Sequence, residues 1–256
     1  MSPLIVQISS RELNAYNINP REFAEEFYRV LRDEDISVPV VLHLDHTKDF
    51  GLIKEAIHAG FTSVMVDASH EPFARNVAIV REVVEYAHPR GVSVEAELGR
   101  IGTTDFLETD TDEELFTDPE EARRFVEETS VDALAVSVGT AHGVYMVRQP
   151  RVDYERVKQI RQLTDVCLVL HGGSGVPSEM IKKAIKCPGG GISKVNIATD
   201  LELAFLAAIG RSERLTNQEC RELSPALLQT GLGAVEEVVI DKITHFLGSR
   251  GKATNQ

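Results

Sequence analysis

The chain of 256 residues is 43% hydrophobic and 26% charged, which is enough for one large globular domain or two small ones. Its formal charge at pH 7 is -13, and no cluster of Lys and Arg is dense enough to follow a nucleic acid or an anionic membrane, so these partners are excluded. The sequence opens without a signal peptide and contains no run of eighteen apolar residues, which predicts a cytoplasmic protein that binds a small molecule.

Seven short apolar runs recur along the chain, each followed by polar or glycine residues and then by a segment of helical period. In order, the runs are "PLIVQIS", "VPVVLHLDH", "FTSVMVDAS", "VSVEAELG", "VDALAVSVG", "VCLVLHGGS" and "ISKVNIAT". This alternation predicts parallel strands with crossover helices, and strands that are apolar on both faces favour an α/β fold of the TIM (β/α) barrel type. A doubly wound sheet is the competing fold, but no GxGxxG motif follows the first run. We predict a single barrel domain over residues 1–256.

Two polar stretches interrupt this alternation. Residues 102–121, "GTTDFLETDTDEELFTDPEE", predict a long acidic and mobile loop with a helix that starts at "TDPEE". Residues 211–225 predict a polar connection between helices near the carboxyl terminus. Cys167, Cys187 and Cys220 are odd in number and lack CxxC spacing, so free thiols are expected rather than a disulfide framework.

Titratable and amide side chains gather where the predicted strands end. Because barrel enzymes build their active sites at the carboxyl ends of their strands, this placement predicts one active site at that end of the barrel. The residues concerned are His43, Asp45, His46, Asp67, Glu95, Glu97, His142, His171, Asn196 and Thr199.

Three of these residues, His46, His142 and His171, follow three different strands. Three imidazoles with one open position suit a catalytic divalent metal such as zinc, and the equivalent placement of all three favours that interpretation over three structural histidines. His43 shares strand parity with Asp45, so we expect it to point into the barrel and orient that carboxylate. The histidines of helices and connections are interpreted as structural: His58, His70, His88 and His245.

A glycine-rich turn, "LHGGSGVP", follows the sixth run and precedes a helix that begins near Pro177 and Ser178. Backbone N–H groups of such a turn, with the hydroxyl of Ser174, can hold a phosphate, although turns also need glycine for their own geometry. The motif "VNIATD" on the next strand strengthens the phosphate interpretation because barrels often bind phosphate after their last two strands. With Asp45 as the proton-transfer group, the residues predict metal-assisted acid/base chemistry on a sugar phosphate or a similar compound.

Six motifs resemble those of the class II, zinc-dependent ketose-bisphosphate aldolases, which include fructose-bisphosphate and tagatose-bisphosphate aldolases. They are "LHLDH", "SVMVDASH", "VSVEAELGRIG", "VGTAHGVY", "LVLHGGSGVP" and "KVNIATDL", and the resemblance runs from about Pro3 to "FLGSRGKA". It implies a homodimer or homotetramer of carbohydrate metabolism, on the glycolytic route, that reversibly cleaves a ketose 1,6-bisphosphate to dihydroxyacetone phosphate and glyceraldehyde 3-phosphate.

The resemblance also implies roles for individual residues. His46, His142 and His171 would hold the catalytic zinc, which stabilises the enediolate, and Asp45 would take the proton from the C4 hydroxyl. Asp67 and Glu97 match positions that bind a second or displaced metal in some members, which leaves room for a second divalent or a monovalent cation. Gln7 and Ser9 fall near the substrate, and Arg250 matches loosely a basic residue near the second phosphate. The positions that match the dihydroxyacetone-phosphate site are Gly143, Gly172, Gly173, Ser174, Asn196, Ile197, Ala198 and Thr199.

The chain departs from the family at three places. Family chains carry an earlier strand and helix, so this sequence offers seven barrel strands instead of eight and should expose two strand edges. Four explanations of the missing strand stay open: the chain is a fragment, its barrel is rearranged, a partner subunit completes the barrel, or the chain is a degenerate paralogue. The acidic loop differs from the family pattern after "GRIG", with Asp105 and Glu108 as candidates for the second acid. The segment "KCPGGGISK" is longer than a plain helix-to-strand connection. It lies at the amino end of the last strand, so we expect it to affect packing rather than chemistry.

Two other functions compete with zinc-dependent cleavage. A Schiff-base aldolase would need Lys194, the strand-borne lysine near the motifs, but it precedes Thr199 by about five residues, or roughly 16 Å at 3.3 Å per residue. A non-catalytic relative would keep metal and phosphate binding alone, but the presence of Asp45 and all three histidines argues against decay. A relative that acts on a differently phosphorylated ketose is a further alternative, and the choice between the fructose and tagatose configurations stays open.

Overall fold

The computed structural model describes residues 2–101, 115–143 and 149–253. Within these residues all seven predicted runs are strands, and every neighbouring pair is parallel in the order β1 to β7. The strands are β1 (Leu4–Ser9), β2 (Val40–Thr47), β3 (Ser63–Val66), β4 (Ser93–Leu98), β5 (Ala133–Val136), β6 (Cys167–Leu170) and β7 (Ile192–Val195).

Helices connect the strands and continue beyond β7. They are α1 (Ser10–Tyr16), α2 (Pro20–Asp33), α3 (Phe50–Ala59), α4 (Phe73–Ala87), α5 (Pro119–Thr129), α6 (Tyr154–Leu163), α7 (Ser178–Ile185), α8 (Thr199–Ala208), α9 (Asn217–Glu222) and α10 (Pro225–Asp241), with a 3₁₀ turn at His88–Arg90 and a π-helical turn at Lys242–Phe246. No helix in the described part of the chain is both long enough and apolar enough to cross a membrane.

Local sequence signals explain where several helices begin. Ser9 and Asn19 each accept a hydrogen bond from the backbone N–H of a glutamate three residues later, and that glutamate bonds back to the cap. Asp118 caps α5 by accepting the Glu121 N–H, and the first residue of that helix is Pro119, so the predicted helix start at "TDPEE" is confirmed.

The two faces of the sheet have different packing. Outward side chains such as Leu42 and Leu44 are fully buried in a large core between the strands and the helices. On the inner face, Met65, Ala135 and Val169 form a small separate apolar cluster. Several of the other inner positions carry polar groups, and the main apolar burial is on the outer face of the strands.

The sheet curls but leaves β1 and β7 unpaired with each other. A cavity of about 320 Å³ lies between the two edges, and it is lined by Leu4, Ile5 and Gln7 on one side and by residues 192–197 on the other. In the described part of the chain no further strand fills this gap. The predicted count of seven strands is therefore confirmed, and no rearrangement of the described residues supplies an eighth.

A second groove, of about 710 Å³ and strongly apolar, lies between α2, β1 and the π-helical turn. Arg250 lines it together with Ser2, which lies just before the amino end of β1. The hydroxyl groups of Ser2 and Ser249 are 2.8 Å apart. The predicted place of Arg250 beside a second phosphate is therefore wrong for this chain's own site, because the arginine lies at the opposite end of β1.

The glycines of "KCPGGGISK" yield a testable prediction about packing. A Cβ on Gly191 would collide with the carbonyl oxygens of Ala184 and Ile185 at the end of α7, so we expect Gly191→Ala to lower the free energy of unfolding by about 3 kcal/mol. Gly233, inside α10, has open space where its Cβ would lie, and Gly233→Ala should raise the stability by about 0.5–1 kcal/mol. Urea unfolding of both variants measures these changes, and an unchanged midpoint for Gly191→Ala would contradict the proposed collision.

Candidate active site

The site begins with a distortion at the end of β2. Between Leu44 and Thr47 the pairing with β3 shifts, so that β2 carries one extra residue there. His46 has a φ of 33°, a region that residues other than glycine rarely adopt. In a regular strand the adjacent side chains of Asp45 and His46 would point to opposite faces. Because of the bulge, both reach the carboxyl end of the sheet, which we call the mouth.

The three predicted metal ligands meet at the mouth. The ring centroids of His46, His142 and His171 are 4.6–5.5 Å apart, and one nitrogen from each ring lies within 4.8 Å of the others. The buried atoms His46 Nε2 and His171 Nδ1 have no hydrogen-bond partner among the described residues. Buried polar atoms without partners are costly, and three imidazoles form a donor set that suits zinc. The residues present therefore fit a divalent metal.

Close backbone contact brings His142 and His171 to the same place. Gly172 has a φ of 68°, and a Cβ there would collide with the carbonyl oxygen of Ala141. Thr140 Oγ1 donates a hydrogen bond of 2.7 Å to the carbonyl oxygen of His171. The segments that follow β5 and β6 thus pack backbone to backbone, which explains why glycine is required at position 172.

Two carboxylates adjoin His46. His46 Nδ1 is 3.2 Å from Asp67 Oδ2, which orients the ring, and Ser69 Oγ donates to Asp67 Oδ1 at 2.8 Å. Burial disfavours a charge on His46, but the hydrogen bond with Asp67 and the charges of Asp45, Glu97 and Asp67 together outweigh it and raise the pKa of His46 to about 9. Burial also raises the pKa of Glu97 to about 7. Atoms of His46, Asp67 and Glu97 lie within 4.8 Å of one another, so they form a second group able to hold a cation.

Asp45 is held by amide groups rather than by a histidine. Gln7 Nε2 donates to Asp45 Oδ2, and Asn196 Nδ2 donates to Asp45 Oδ1, both at 3.3 Å. His43 Nε2 is 3.9 Å from Asp45 Oδ1, beyond hydrogen-bond distance, and its Nδ1 pairs with Ser63 Oγ at 2.8 Å. The prediction that His43 points into the barrel is confirmed, but the prediction that it orients Asp45 is wrong.

Charges at the mouth keep Asp45 ionised. Burial alone would raise the pKa of Asp45, whose exposed fraction is 8%, but the nearby rings of His46 and His171 and the ammonium of Lys194 outweigh burial and lower that pKa. Burial and the neighbouring His171 ring lower the pKa of His142 to about 3. His142 is thus neutral at pH 7, the form in which an imidazole binds a metal.

The predicted phosphate residues lie where two loops meet. The N–H of Gly173 donates to the carbonyl oxygen of Asn196 at 3.0 Å, and the N–H of Asp200 donates to Ser174 Oγ at 3.2 Å. The segment of Ile197 and Ala198 ends where α8 begins, so the positive end of the α8 dipole adjoins the glycine turn. The structure brings together seven of the eight predicted phosphate positions, which are Gly172, Gly173, Ser174, Asn196, Ile197, Ala198 and Thr199. The eighth, Gly143, directly follows His142.

Sequence reasoning placed Glu95 among the strand-end residues without giving it a partner, and it placed Lys194 too far from the site. Glu95 Oε1 is 2.9 Å from His171 Nε2, and Lys194 Nζ is 2.8 Å from Glu95 Oε2. The lysine was expected far from the site, but its side chain points inward and reaches the layer below the mouth. The sequence did contain a signal for this placement. Residues two positions apart on a strand point to the same face, so Glu95 shares a face with Glu97 and Lys194 shares a face with Asn196.

The remaining predicted residues have other places in the described chain or lie outside the described residues. His58, His70, His88 and His245 are exposed, as expected for structural histidines. Asp105 and Glu108, the candidates for the second acid, lie outside the described residues. Ser9 caps α1 at the end of β1, where it accepts the Glu12 N–H at 3.2 Å.

Comparisons with known proteins agree with this arrangement. The chain superposes on the crystal structure of the YdjI aldolase from Escherichia coli K12 with a TM-score of 0.80 and 35% identity, over 99% of this chain and 84% of the other. A fructose-bisphosphate aldolase from Campylobacter jejuni shares the fold, with a TM-score of 0.74, 23% identity, and 96% and 83% of the two chains covered. The sequence profile of the class II fructose-bisphosphate aldolases matches residues 1–252. This chain therefore belongs to the class II fructose-bisphosphate aldolase family.

Proposed function

We propose that the protein is a zinc-dependent lyase that reversibly cleaves a ketose 1,6-bisphosphate to dihydroxyacetone phosphate and glyceraldehyde 3-phosphate. The observation that carries this proposal is the pair of buried, unpartnered nitrogens of His46 and His171 next to the ionised carboxylate of Asp45. A metal ligand set and a proton acceptor side by side are what aldol cleavage requires. The family membership supports a phosphorylated sugar as the substrate.

The loops after β6 and β7 would bind the phosphate of the dihydroxyacetone half. The Ser174 hydroxyl and the positive end of the α8 dipole would attract an anion at the mouth, whereas the N–H groups of Gly173 and Asp200 already bond to Asn196 and Ser174 and hold the two loops together. His46, His142 and His171 would hold the zinc. When bound there, zinc supplies a Lewis acid that polarises the ketose carbonyl and stabilises the negative charge left by bond cleavage.

Asp45 would act as the general base. Its carboxylate, held by the amides of Gln7 and Asn196, takes the proton from the C4 hydroxyl while the C3–C4 bond breaks and the aldehyde is released. Asn196 lies both in this amide pair and in the phosphate loop, so it couples the position of the base to the position of the substrate. The three-carbon fragment left by cleavage takes a proton at C3 from a second acid, for which Asp105 and Glu108 are the sequence candidates, to give dihydroxyacetone phosphate. In the condensation direction Asp45 returns its proton to the C4 oxygen.

A second candidate function is a non-catalytic relative that keeps metal and phosphate binding. The open gap between β1 and β7 favours it, because a sheet with two free edges is a less rigid support for catalysis than a closed barrel. The intact set of Asp45 and three histidines favours the enzyme. Activity measurements separate the two.

The proposal extends to assembly and compartment. Several leucines on α8 and α10 are exposed, among them Leu203, Leu227, Leu228 and Leu232. An interface between subunits would bury these apolar side chains, which supports a homodimer or homotetramer. Cys167, Cys187 and Cys220 are free thiols, which supports a reducing compartment such as the cytoplasm.

Metal dependence is the first prediction of this function. Purified protein should release dihydroxyacetone phosphate from fructose 1,6-bisphosphate, lose this activity on chelation and regain it when zinc is restored. Tagatose 1,6-bisphosphate is assayed in parallel. No release of dihydroxyacetone phosphate from either substrate by folded, zinc-loaded protein would favour the non-catalytic alternative.

The role of Asp45 gives a second prediction. Asp45→Asn keeps the shape of the side chain but removes the proton acceptor, so kcat should fall roughly 10²–10⁴-fold while zinc stays bound. Asp118→Asn is the matched control, because asparagine caps a helix as well as aspartate does. Wild-type turnover by Asp45→Asn would rule out this residue as the base.

The role of His142 gives a third prediction. His142→Ala should reduce the zinc content to well below one equivalent after dialysis, because two imidazoles remain where three are needed. His88→Ala, at an exposed histidine that pairs with Asp132, is the control and should keep its zinc. Metal analysis of the dialysed proteins measures the zinc content of both variants. Full zinc retention by His142→Ala would exclude His142 as a ligand.

A further inference from the structure

A buried ion pair lies beneath the mouth, on the inner face of the sheet. Lys194 Nζ is 2.8 Å from Glu95 Oε2 and 3.5 Å from His43 Nε2. The lysine side chain is 11% exposed and that of Glu95 is 3% exposed. Burying two charges costs free energy that a surface pair does not incur, so a pair at this depth invites a functional explanation.

The two oxygens of Glu95 have different partners. Oε2 accepts from the Lys194 ammonium, whereas Oε1 is 2.9 Å from His171 Nε2. An ionised carboxylate can only accept hydrogen bonds, so His171 Nε2 must carry the ring proton. The lone pair of His171 then lies on Nδ1, the buried atom that has no hydrogen-bond partner and belongs to the three-histidine group.

Lys194 controls the direction of this hydrogen bond through the carboxylate. The ammonium anchors Oε2 and offsets its charge, which leaves Oε1 aimed at His171. Without the ammonium the Glu95 carboxylate would be a buried charge with no cation to anchor it, free to rotate away from His171.

The lysine also stands where a further cation could bind. Atoms of His43, Asp45 and Glu95 lie within 4.8 Å of one another and form a third group of metal-ligand type among the described residues. The Lys194 ammonium contacts two of its three members. A fixed positive charge of the protein therefore takes the place of an ion in this lower layer.

We propose that Lys194 is a positioning residue for the metal: through Glu95 it holds the tautomer and orientation in which His171 presents Nδ1 to the metal site. This inference rests on the proposed zinc site, and it assigns to the lysine a role that needs no covalent bond to the substrate. It predicts that loss of the lysine weakens metal binding from a distance.

The test replaces Lys194 by methionine, which keeps the length and removes the charge. Zinc affinity, measured by competition with a chelator, should fall about 10–100-fold, the range seen when partners of ligating histidines are removed. Lys158→Met removes an exposed lysine that pairs with Glu155 and should leave the affinity unchanged. Lys194→Arg restores a charge that can reach Glu95 and should recover part of the loss.

Imidazole ¹⁵N shifts of His171 provide a readout that does not depend on activity. In wild-type protein, both metal-free and zinc-loaded, the shifts should show a protonated Nε2, and in Lys194→Met they should show a mixture of tautomers in the metal-free protein. A metal-free wild type with its proton on Nδ1 overturns the inference even if zinc binds. Failure of the wild type to bind zinc overturns the metal site instead, while the tautomer still reports on the positioning.

A double-mutant cycle with Glu95→Gln shows whether the lysine acts through the carboxylate. Glu95→Gln alone should weaken zinc binding, and adding Lys194→Met to it should cause little further loss, because the shared path is already broken. Full additivity of the two losses, or wild-type affinity in Lys194→Met, would refute the positioning role. Circular dichroism verifies folding, and if Lys194→Met does not fold, Lys194→Arg and Glu95→Gln are compared with wild type by the same two readouts.

Discussion

The extra residue at the end of β2 is the constraint on which the site depends. Adjacent residues of a regular strand point to opposite faces, yet both Asp45 and His46 reach the mouth. The bulge and the positive φ of His46 solve this problem at a local conformational cost of the kind that active sites retain. The ring of His46 can then approach the other two histidines while Asp45 keeps its contacts with Gln7 and Asn196.

Below the mouth, charged side chains occupy much of the inner face of the sheet in place of apolar ones. Many barrels fill their interior with branched apolar side chains, whereas here Glu95, Lys194 and His43 occupy that space with only a small apolar cluster beside them. These groups are paired with one another, so their burial is tolerated although it contributes little to stability. The stability of the fold must therefore come mainly from the outer face of the strands, where the large core packs against the helices.

The open gap between β1 and β7 does not separate the functional groups. Asn196, just after β7, donates to Asp45 on β2, and Lys194 on β7 reaches Glu95 on β4. Side chains thus cross the interior where backbone pairing is missing. The site is held by these polar contacts and by the backbone contact between the segments after β5 and β6, so it can exist on a curled sheet whose edges are free.

The sequence by itself determined the order of the seven strands, the helix starts at caps such as Asp118, and the ligand candidates His46, His142 and His171. It could do so because hydrophobic periodicity, helix capping and the residue types at strand ends are local properties of the chain. It could not assign the partners of Asp45, and it predicted a contact with His43 where Gln7 and Asn196 make the hydrogen bonds. It also misplaced Lys194, since distance along a strand does not reveal which way a side chain points across a curled sheet, and Arg250, whose place depends on how the segment after α10 packs against the first strand. Only the tertiary structure decided these contacts, because they join residues as much as 151 positions apart whose approach depends on the curvature of the whole sheet.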